Sequence, residues 1–134
     1  MPRFDKHHEI VKTALEKDGR RILYDPFLLK YKGLRLYIDL AAERVSGNRK
    51  IAIEVKVFGG ESFVNDFEKT LGQYNLYKFV LKKAALEHKL YLAISEEIFQ
   101  KFTDKPAILE LVAETDVHII VFSSEQEVIL QWVN

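Results

Sequence analysis

The clearest strand pattern in the sequence is Ile51-Ala52-Ile53-Glu54-Val55-Lys56-Val57. Its side chains alternate, so that one face carries only β-branched aliphatic residues and the other carries Ala52, Glu54 and Lys56. Gly59-Gly60 follows directly and interrupts the pattern. We therefore predict a strand over residues 49–58 that buries one face and places a carboxylate and an ammonium group together on the other.

A second strand precedes this one and is joined to it by a short turn. Residues 34–44 alternate and predict one longer strand, and Ser46-Gly47-Asn48 has the composition of a hairpin turn. Asp39 lies in the middle of this strand, in an otherwise apolar setting. Neighbouring strands lie about 4.8 Å apart. Antiparallel pairing about the turn would therefore bring Asp39 close to Glu54 or Lys56.

The rest of the chain predicts helices on either side of further strands. Asp5 is a candidate N-cap for the first helix and Gly19 a candidate stop, while Ser62 is a candidate N-cap for the longest helix. The remaining elements are predicted as helices over residues 5–18, 63–87, 95–102 and 105–114, and strands over residues 21–24, 28–31, 89–94, 117–122 and 127–133. A strand meander followed by a helical crossover predicts an α/β fold of the α+β-like kind, with a central mixed β-sheet flanked by helices.

Composition limits the function classes. The 134 residues fit one domain, and with no cysteine the chain has no disulfide, thiolate zinc site or cysteine nucleophile. No apolar run approaches the ~18 residues that span a bilayer, and residues 1–8 lack the apolar region of a secretory signal. We therefore expect a cytoplasmic protein with no membrane segment.

The net charge of zero, from 20 basic and 20 acidic residues, argues mildly against avid non-specific binding of nucleic acid. Local basic clusters could still bind nucleic acid, although each cluster is also typical of a solvated face. The candidate clusters are Arg20-Arg21; Lys30, Lys32 and Arg35; and Lys78, Lys82 and Lys83. A protein that acts on DNA with this balance would rely on a metal, a partner or a homodimer to supply the missing attraction.

The residues on the two paired strands have the chemistry of a metal-assisted phosphodiesterase. Asp39 and Glu54 offer oxygen ligands with no His or Cys among them, which suits Mg²⁺ or Mn²⁺. Such an ion can hold a scissile phosphate and activate a water. Lys56 could orient that water or neutralise the transition state. The alternative is that Glu54 and Lys56 form only a solvated charge pair on a strand face.

These motifs resemble the PD-(D/E)XK nuclease superfamily. A hydrophobic strand ending in Asp39, a hairpin, and then Glu54-Val55-Lys56 is similar to its signature, and Gln73 with Tyr77 matches the Gln-x-x-x-Tyr motif of RecB-like members. The resemblance implies a single nuclease-like domain over residues 1–134 with a restriction-endonuclease-like core. It also implies metal ligation by Asp39, Glu54 and the Val55 carbonyl, and an endonuclease that hydrolyses DNA. Gln73 would position the phosphate or Lys56, and Tyr77 would support Gln73; alternatively, Tyr77 is core and Gln73 is exposed.

The chain resembles the XisH family more closely, across nearly its whole length. The segments that carry this resemblance include Lys17-Asp18-Gly19, Asp25-Pro26, Leu36-Tyr37-Ile38-Asp39-Leu40, Ile53-Glu54-Val55-Lys56, Leu71-Gly72-Gln73-Tyr74, Leu90-Tyr91-Leu92-Ala93-Ile94 and Gln131-Trp132. The family is named for a factor that controls excision of the fdxN element. It implies a role in DNA excision and an XisI-type protein as a partner. A non-catalytic accessory that binds DNA, and a regulatory interaction protein, are the alternatives.

The first helix contributes one further candidate residue. Many nucleases of the superfamily carry a Glu there that faces the metal, and the corresponding position here is His8, with Glu9 next to it. On a helical wheel Glu9 points away from the apolar stripe, whereas His8 lies nearer its boundary. We therefore predict that His8 is a phosphate contact or supports the metal ligands, with an exposed or merely packed histidine as the alternative.

Overall fold

The computed structural model describes residues 6–47, 49–84 and 87–133. In chain order the elements are α1 (Lys6–Lys17), β1 (Arg20–Tyr24), β2 (Phe27–Tyr31), β3 (Leu34–Ile38), β4 (Leu40–Arg44), β5 (Lys50–Val55), α2 (Phe63–Lys83), β6 (His88–Ser95), α3 (Glu96–Thr103), α4 (Pro106–Glu114), β7 (Ile119–Ser123) and β8 (Val128–Val133). Of the predicted caps and turns, Asp5 and Asn48 lie outside the described residues.

Six strands form one mixed sheet in the order β1-β4-β5-β6-β7-β8, and β2 pairs with β3 in a separate two-stranded sheet. Strand β5 lies between an antiparallel neighbour, β4, and a parallel neighbour, β6. The connection from β5 to β6 runs through α2, because parallel strands need a long crossover. The predicted fold class, a mixed sheet flanked by helices, is confirmed.

The sheet divides the interior into two cores. On one face Ile10, Val11 and Leu15 of α1 pack against Ile51, Ile53 and Val55 of β5. On the other face the buried residues of α2, α3 and α4 pack against β6 and β7. The alternation predicted for β5 is therefore correct, and it directs Glu54 to the face that α2 covers.

Two predicted boundaries are wrong. Residues 34–44 form two strands, because the chain leaves the small sheet at Ile38 and enters the large sheet at Leu40, with Asp39 at the bend between them. The long helix ends at Lys83, short of the predicted residue 87. The caps are confirmed where they are described: Gly19 has a positive φ of 83°, which suits a glycine after a helix, and Ser62 accepts a hydrogen bond from the N–H of Asn65.

Candidate metal-binding and phosphodiesterase site

Asp39 and Glu54 lie opposite each other across the hairpin of β4 and β5. Leu40 pairs with Ile53 in this antiparallel register, so the next position along the register joins Asp39 to Glu54. Asp39 occupies the bend before β4, and Glu54 is the penultimate residue of β5. The structure therefore brings the two predicted carboxylates together, as the sequence predicted.

Backbone hydrogen bonds fix the orientation of both carboxylates. The N–H of Asp39 donates to Oε1 of Glu54 at 3.1 Å, and the N–H of Val55 donates to Oδ2 of Asp39 at 2.8 Å. Each acid is thus anchored to the backbone of the strand that carries the other. Two anionic side chains held in this way are preorganised, because little side-chain freedom remains to be lost when a cation binds.

Glu54 is buried, with 7% of its surface exposed. Burial, and after it the charge of Asp39, raise the pKa of Glu54 to about 7, and the nearby ammonium of Lys56 opposes this increase. Nζ of Lys56 lies 3.5 Å from Oε2 of Glu54. The two carboxylates therefore repel each other, and the single lysine offsets only part of this repulsion. A bound cation would reduce the repulsion further.

Gln73 and Tyr77 share one face of α2, the helix that covers the face of the sheet carrying Glu54. Nε2 of Gln73 donates to the hydroxyl oxygen of Tyr77 at 2.8 Å. Burial, followed by the charges of Glu54 and Asp39, raises the pKa of Tyr77 to about 12, so that its hydroxyl stays protonated. Tyr77 is part of the core and Gln73 is half-buried. The two residues form the predicted pair on one helical face.

His8 lies on α1, which packs on the opposite face of the sheet. Its Nε2 is 2.7 Å from Oδ1 of Asp25, and Nζ of Lys12 is 2.8 Å from Oδ2 of the same carboxylate. His8 therefore bonds to Asp25, whereas Glu54 is the residue that contacts both the backbone of Asp39 and the ammonium of Lys56. The sequence pattern indicates no role for Asp25 or Lys12, although Asp25-Pro26 is a conspicuous dipeptide.

Two groups of side chains are candidate cation sites: His8 with Glu9 and Asp25, and Asp39 with Glu54. One ligand-type atom from each of His8, Glu9 and Asp25 lies within 4.8 Å of the others. However, this group includes an imidazole nitrogen, and the two oxygens of Asp25 already bond to His8 and to the ammonium of Lys12. The donor set of Asp39 and Glu54 fits a hard divalent ion better, because it is all oxygen and carries unrelieved negative charge.

The fold and the site define an α/β domain with a buried glutamate, a half-buried aspartate and a lysine at one end of its central sheet. The chain belongs to the XisH family, because the family profile described as XisH protein matches residues 1–130. A comparison with curated protein sequences gave no match.

Two solved structures are similar to the chain. One is an XisH family protein from Nostoc punctiforme, with 39% sequence identity and a TM-score of 0.89 over 97% of this chain and 100% of that one. The other is a fdxN element excision controlling factor protein from Anabaena variabilis, with 39% identity and a TM-score of 0.89 over 98% of this chain and 100% of that one. Among the described helices, none is long and apolar enough to cross a membrane.

Proposed function

We propose that this XisH protein is a divalent-metal-dependent endonuclease of the PD-(D/E)XK type that hydrolyses DNA phosphodiester bonds. The observation that carries the proposal is the reciprocal anchoring of Asp39 and Glu54, with Lys56 3.5 Å from Glu54. A buried Glu54 beside the half-buried Asp39 is costly for folding, since the charged form of a buried carboxylate is disfavoured. Its presence at a strand end is more readily explained by function than by stability.

The roles follow from where each group lies. Asp39 and Glu54 would hold Mg²⁺ or Mn²⁺, and the carbonyl of Val55 would add a ligand at the end of β5. The ion, when bound, would polarise the scissile phosphate and make a neighbouring water more acidic. The ammonium of Lys56, fixed beside Glu54, can orient the attacking water and stabilise negative charge on the phosphate.

The pair on α2 supports these groups. The hydroxyl of Tyr77 accepts from Gln73, which holds the amide of Gln73 in one orientation on the helix that covers the Glu54 face of the sheet. A side-chain amide in that position can donate to a phosphate oxygen or keep Lys56 extended. Gln73 is therefore proposed to position the phosphate or Lys56, and Tyr77 to support Gln73.

We propose that this activity takes part in DNA excision. The similar protein from Anabaena variabilis is named as a controlling factor for excision of the fdxN element. Excision requires that DNA strands be cut, so hydrolysis of a phosphodiester is a chemistry that such a factor could supply.

The test is nicking of supercoiled plasmid DNA by the purified protein with Mg²⁺ or Mn²⁺, and with EDTA. We expect metal-dependent nicking by the wild type and at least a ~100-fold lower rate for Asp39→Asn and Lys56→Met, in line with losses of catalytic electrostatic groups. Glu97→Gln, a charge-neutralising change at an exposed acid of α3, serves as the matched control and should retain the wild-type rate. Equal nicking by all four proteins would reject the proposal.

A second candidate is a non-catalytic accessory that binds a protein partner. Exposed apolar side chains surround the ring contact between Tyr31 and Phe79, whose centroids are 6.3 Å apart. Leu34, Leu76 and Phe79 are 38%, 40% and 47% exposed, and such clusters often mark protein-binding surfaces. Co-expression with an XisI-type protein tests this candidate: a stable complex that Phe79→Ser disrupts, without any nicking of DNA, would favour it over the nuclease.

A further inference from the structure

A basic cavity lies at the end of the sheet opposite the acidic pair. Arg20, Arg49, Lys50 and Lys89 line a cavity of about 420 Å³, and Glu87 is the one carboxylate among the described lining residues. Lys50 begins β5 and Glu54 lies four residues further along. At a rise of about 3.3 Å per residue, the cavity lies roughly 13 Å from the acidic pair along the strand. The two sites are therefore distinct.

Arg20 is the best-organised group in this cavity. Its side chain is only 9% exposed and lies 3.4 Å from Oδ2 of Asp18, and its guanidinium stacks over Trp132 at 4.7 Å. The buried Nη1 has no hydrogen-bond partner among the described residues. The guanidinium of Arg20 therefore adds positive charge beneath the wall of the cavity, and direct contacts to a phosphate fall to the exposed Arg49, Lys50 and Lys89.

A second cavity continues from the first across β6. This cavity of about 350 Å³ shares Glu87 and Lys89 with the first and adds Lys78, Lys82 and His88. The two cavities lie on opposite faces of the sheet, because Tyr91 of the first packs in the core beneath α1 and Leu90 of the second packs in the core beneath α2. Together they form a continuous basic path over the start of β6.

One acidic residue of this path, the exposed Glu87, lines both cavities, and two acidic residues beside the path are paired with cations. Asp18 contacts Arg20 and Arg44, and the exposed Asp116 contacts Lys78 and His118 at 3.3 Å each. The cations at positions 49, 50 and 89 are exposed. The described residues that line the two cavities include six Lys and Arg residues and one carboxylate. The whole chain carries equal numbers of acidic and basic residues, so positive charge is concentrated along this path.

We propose that this basic path binds the phosphate backbone of a single nucleic-acid strand, separately from the acidic pair. A succession of phosphates suits the path better than one phosphate group, because the cations are spread over two adjoining cavities. A single strand can bend over the end of β6, whereas a stiff duplex cannot follow the turn from one face of the sheet to the other. The bound strand contacts the exposed Arg49, Lys50 and Lys89 on one face of the sheet and the exposed Lys82 on the other, while Arg20 and Lys78 add positive charge beside them.

The test is binding of a short fluorescein-labelled oligodeoxythymidine, followed by fluorescence anisotropy in EDTA over a series of NaCl concentrations. EDTA keeps the acidic pair free of divalent ions, so the result does not depend on hydrolysis. Arg49→Gln/Lys89→Gln should weaken binding roughly tenfold and reduce the slope of log K against log salt by about 1.4, at about 0.7 for each lost contact to a single strand. Arg49→Lys/Lys89→Arg should retain binding.

The matched control is Lys6→Gln/Lys101→Gln, which removes two exposed charges outside both cavities. Equal weakening by the control, or no binding by the wild type, would overturn the proposal. If thymidine monophosphate competes as strongly as the unlabelled strand, the ligand is a free nucleotide and the proposal of a bound strand is wrong. All variants must show the wild-type thermal unfolding midpoint. A protein that binds the strand but never nicks DNA would retain this inference and lose the proposed function.

Discussion

The backbone N–H of Asp39 donates to Oε1 of Glu54, while the N–H next to Glu54, that of Val55, donates to Oδ2 of Asp39. This exchange means that each carboxylate has two separable roles. Each one completes the hydrogen bonding of a strand end, and each one contributes negative charge to the candidate metal site. Substitutions that keep one role and remove the other can therefore distinguish structure from chemistry.

Asp39→Asn and Asp39→Ala should differ in stability but not in activity. The amide oxygen of asparagine can still accept from the N–H of Val55, whereas alanine leaves that buried donor without a partner, which costs about 1–3 kcal/mol. Both changes remove the charge, so both should abolish nicking. Urea unfolding and plasmid nicking measure the two effects, and an Asp39→Asn variant with full activity would contradict the assignment of Asp39 as a ligand.

Glu54→Gln should stabilise the protein at high pH. The folded-state pKa of Glu54 is raised from 4.5 to about 7, so the native state binds more protons than the unfolded chain in this interval. Stability therefore falls as pH rises from about 4.5 to 7, by an amount on the order of 3 kcal/mol, and glutamine avoids this loss. The free energy of unfolding, measured in EDTA, should be higher for Glu54→Gln than for wild type at pH 8 and similar at pH 4.5.

The same experiment has a second arm with metal. Mn²⁺ should raise the unfolding midpoint of the wild type at pH 8, because an ion that binds only the native state stabilises it, and it should not do so for Glu54→Gln. A midpoint that responds equally to Mn²⁺ in both proteins would place the ion elsewhere.

Removal of Lys56 should shift the titration of Glu54. The ammonium lies 3.5 Å from Oε2 of Glu54 and lowers its pKa, so Lys56→Met should raise that pKa further. The pH at which Mn²⁺ stabilises the protein should then increase, since the ion requires the carboxylate form. Lys56→Arg should restore the wild-type profile, and an unchanged profile in Lys56→Met would show that the lysine is not coupled to Glu54.

Tyr77→Phe tests the support that α2 gives to the site. The change removes the acceptor of the hydrogen bond from Gln73 while keeping the buried ring, so we expect a loss of about 1 kcal/mol in stability and a roughly tenfold lower nicking rate, the equivalent of about 1.4 kcal/mol. The exposed Tyr37 provides the control. Tyr37→Phe should change neither quantity, and a Tyr77→Phe variant with the wild-type rate would leave the hydroxyl a purely structural role.

The approach of Asp39 to the strand that carries Glu54 and Lys56 could be predicted from sequence because two features fix it, whereas the choice of Glu54 as the partner rests on the observed register. A turn of small polar residues sets the hairpin, and the alternation around Glu54 assigns its face, since a slip by one residue would place Ile53 and Val55 on the opposite face. The break at Asp39 could not be predicted. Both Leu34–Ile38 and Leu40–Arg44 are strands, and no Gly or Pro marks the point where the chain passes from one sheet to the other.

The contacts of His8 could not be predicted either. A helical wheel gives the direction of His8 on α1 but not the element against which α1 packs, and Asp25 is 17 residues away in the sequence. The basic path could be predicted from the sequence only in part. Arg20 was part of a basic cluster in the sequence, but its meeting with Lys89 depends on the order β1-β4-β5-β6 in the sheet.

His8→Gln and Asp25→Asn distinguish a phosphate contact from a structural pair. Burial alone would raise the pKa of Asp25, but hydrogen bonds from Lys12 and His8 outweigh it and lower that pKa below its ordinary value of 3.8. The stabilisation that this gives is present at neutral pH and is lost as pH falls through the lowered pKa. We expect both variants to be less stable than wild type at pH 7, with Asp25→Asn converging on wild type in strong acid. Because His8 is committed to Asp25, the KM for plasmid DNA should remain unchanged in both; an increase confined to His8→Gln would instead identify His8 as a contact to the phosphate.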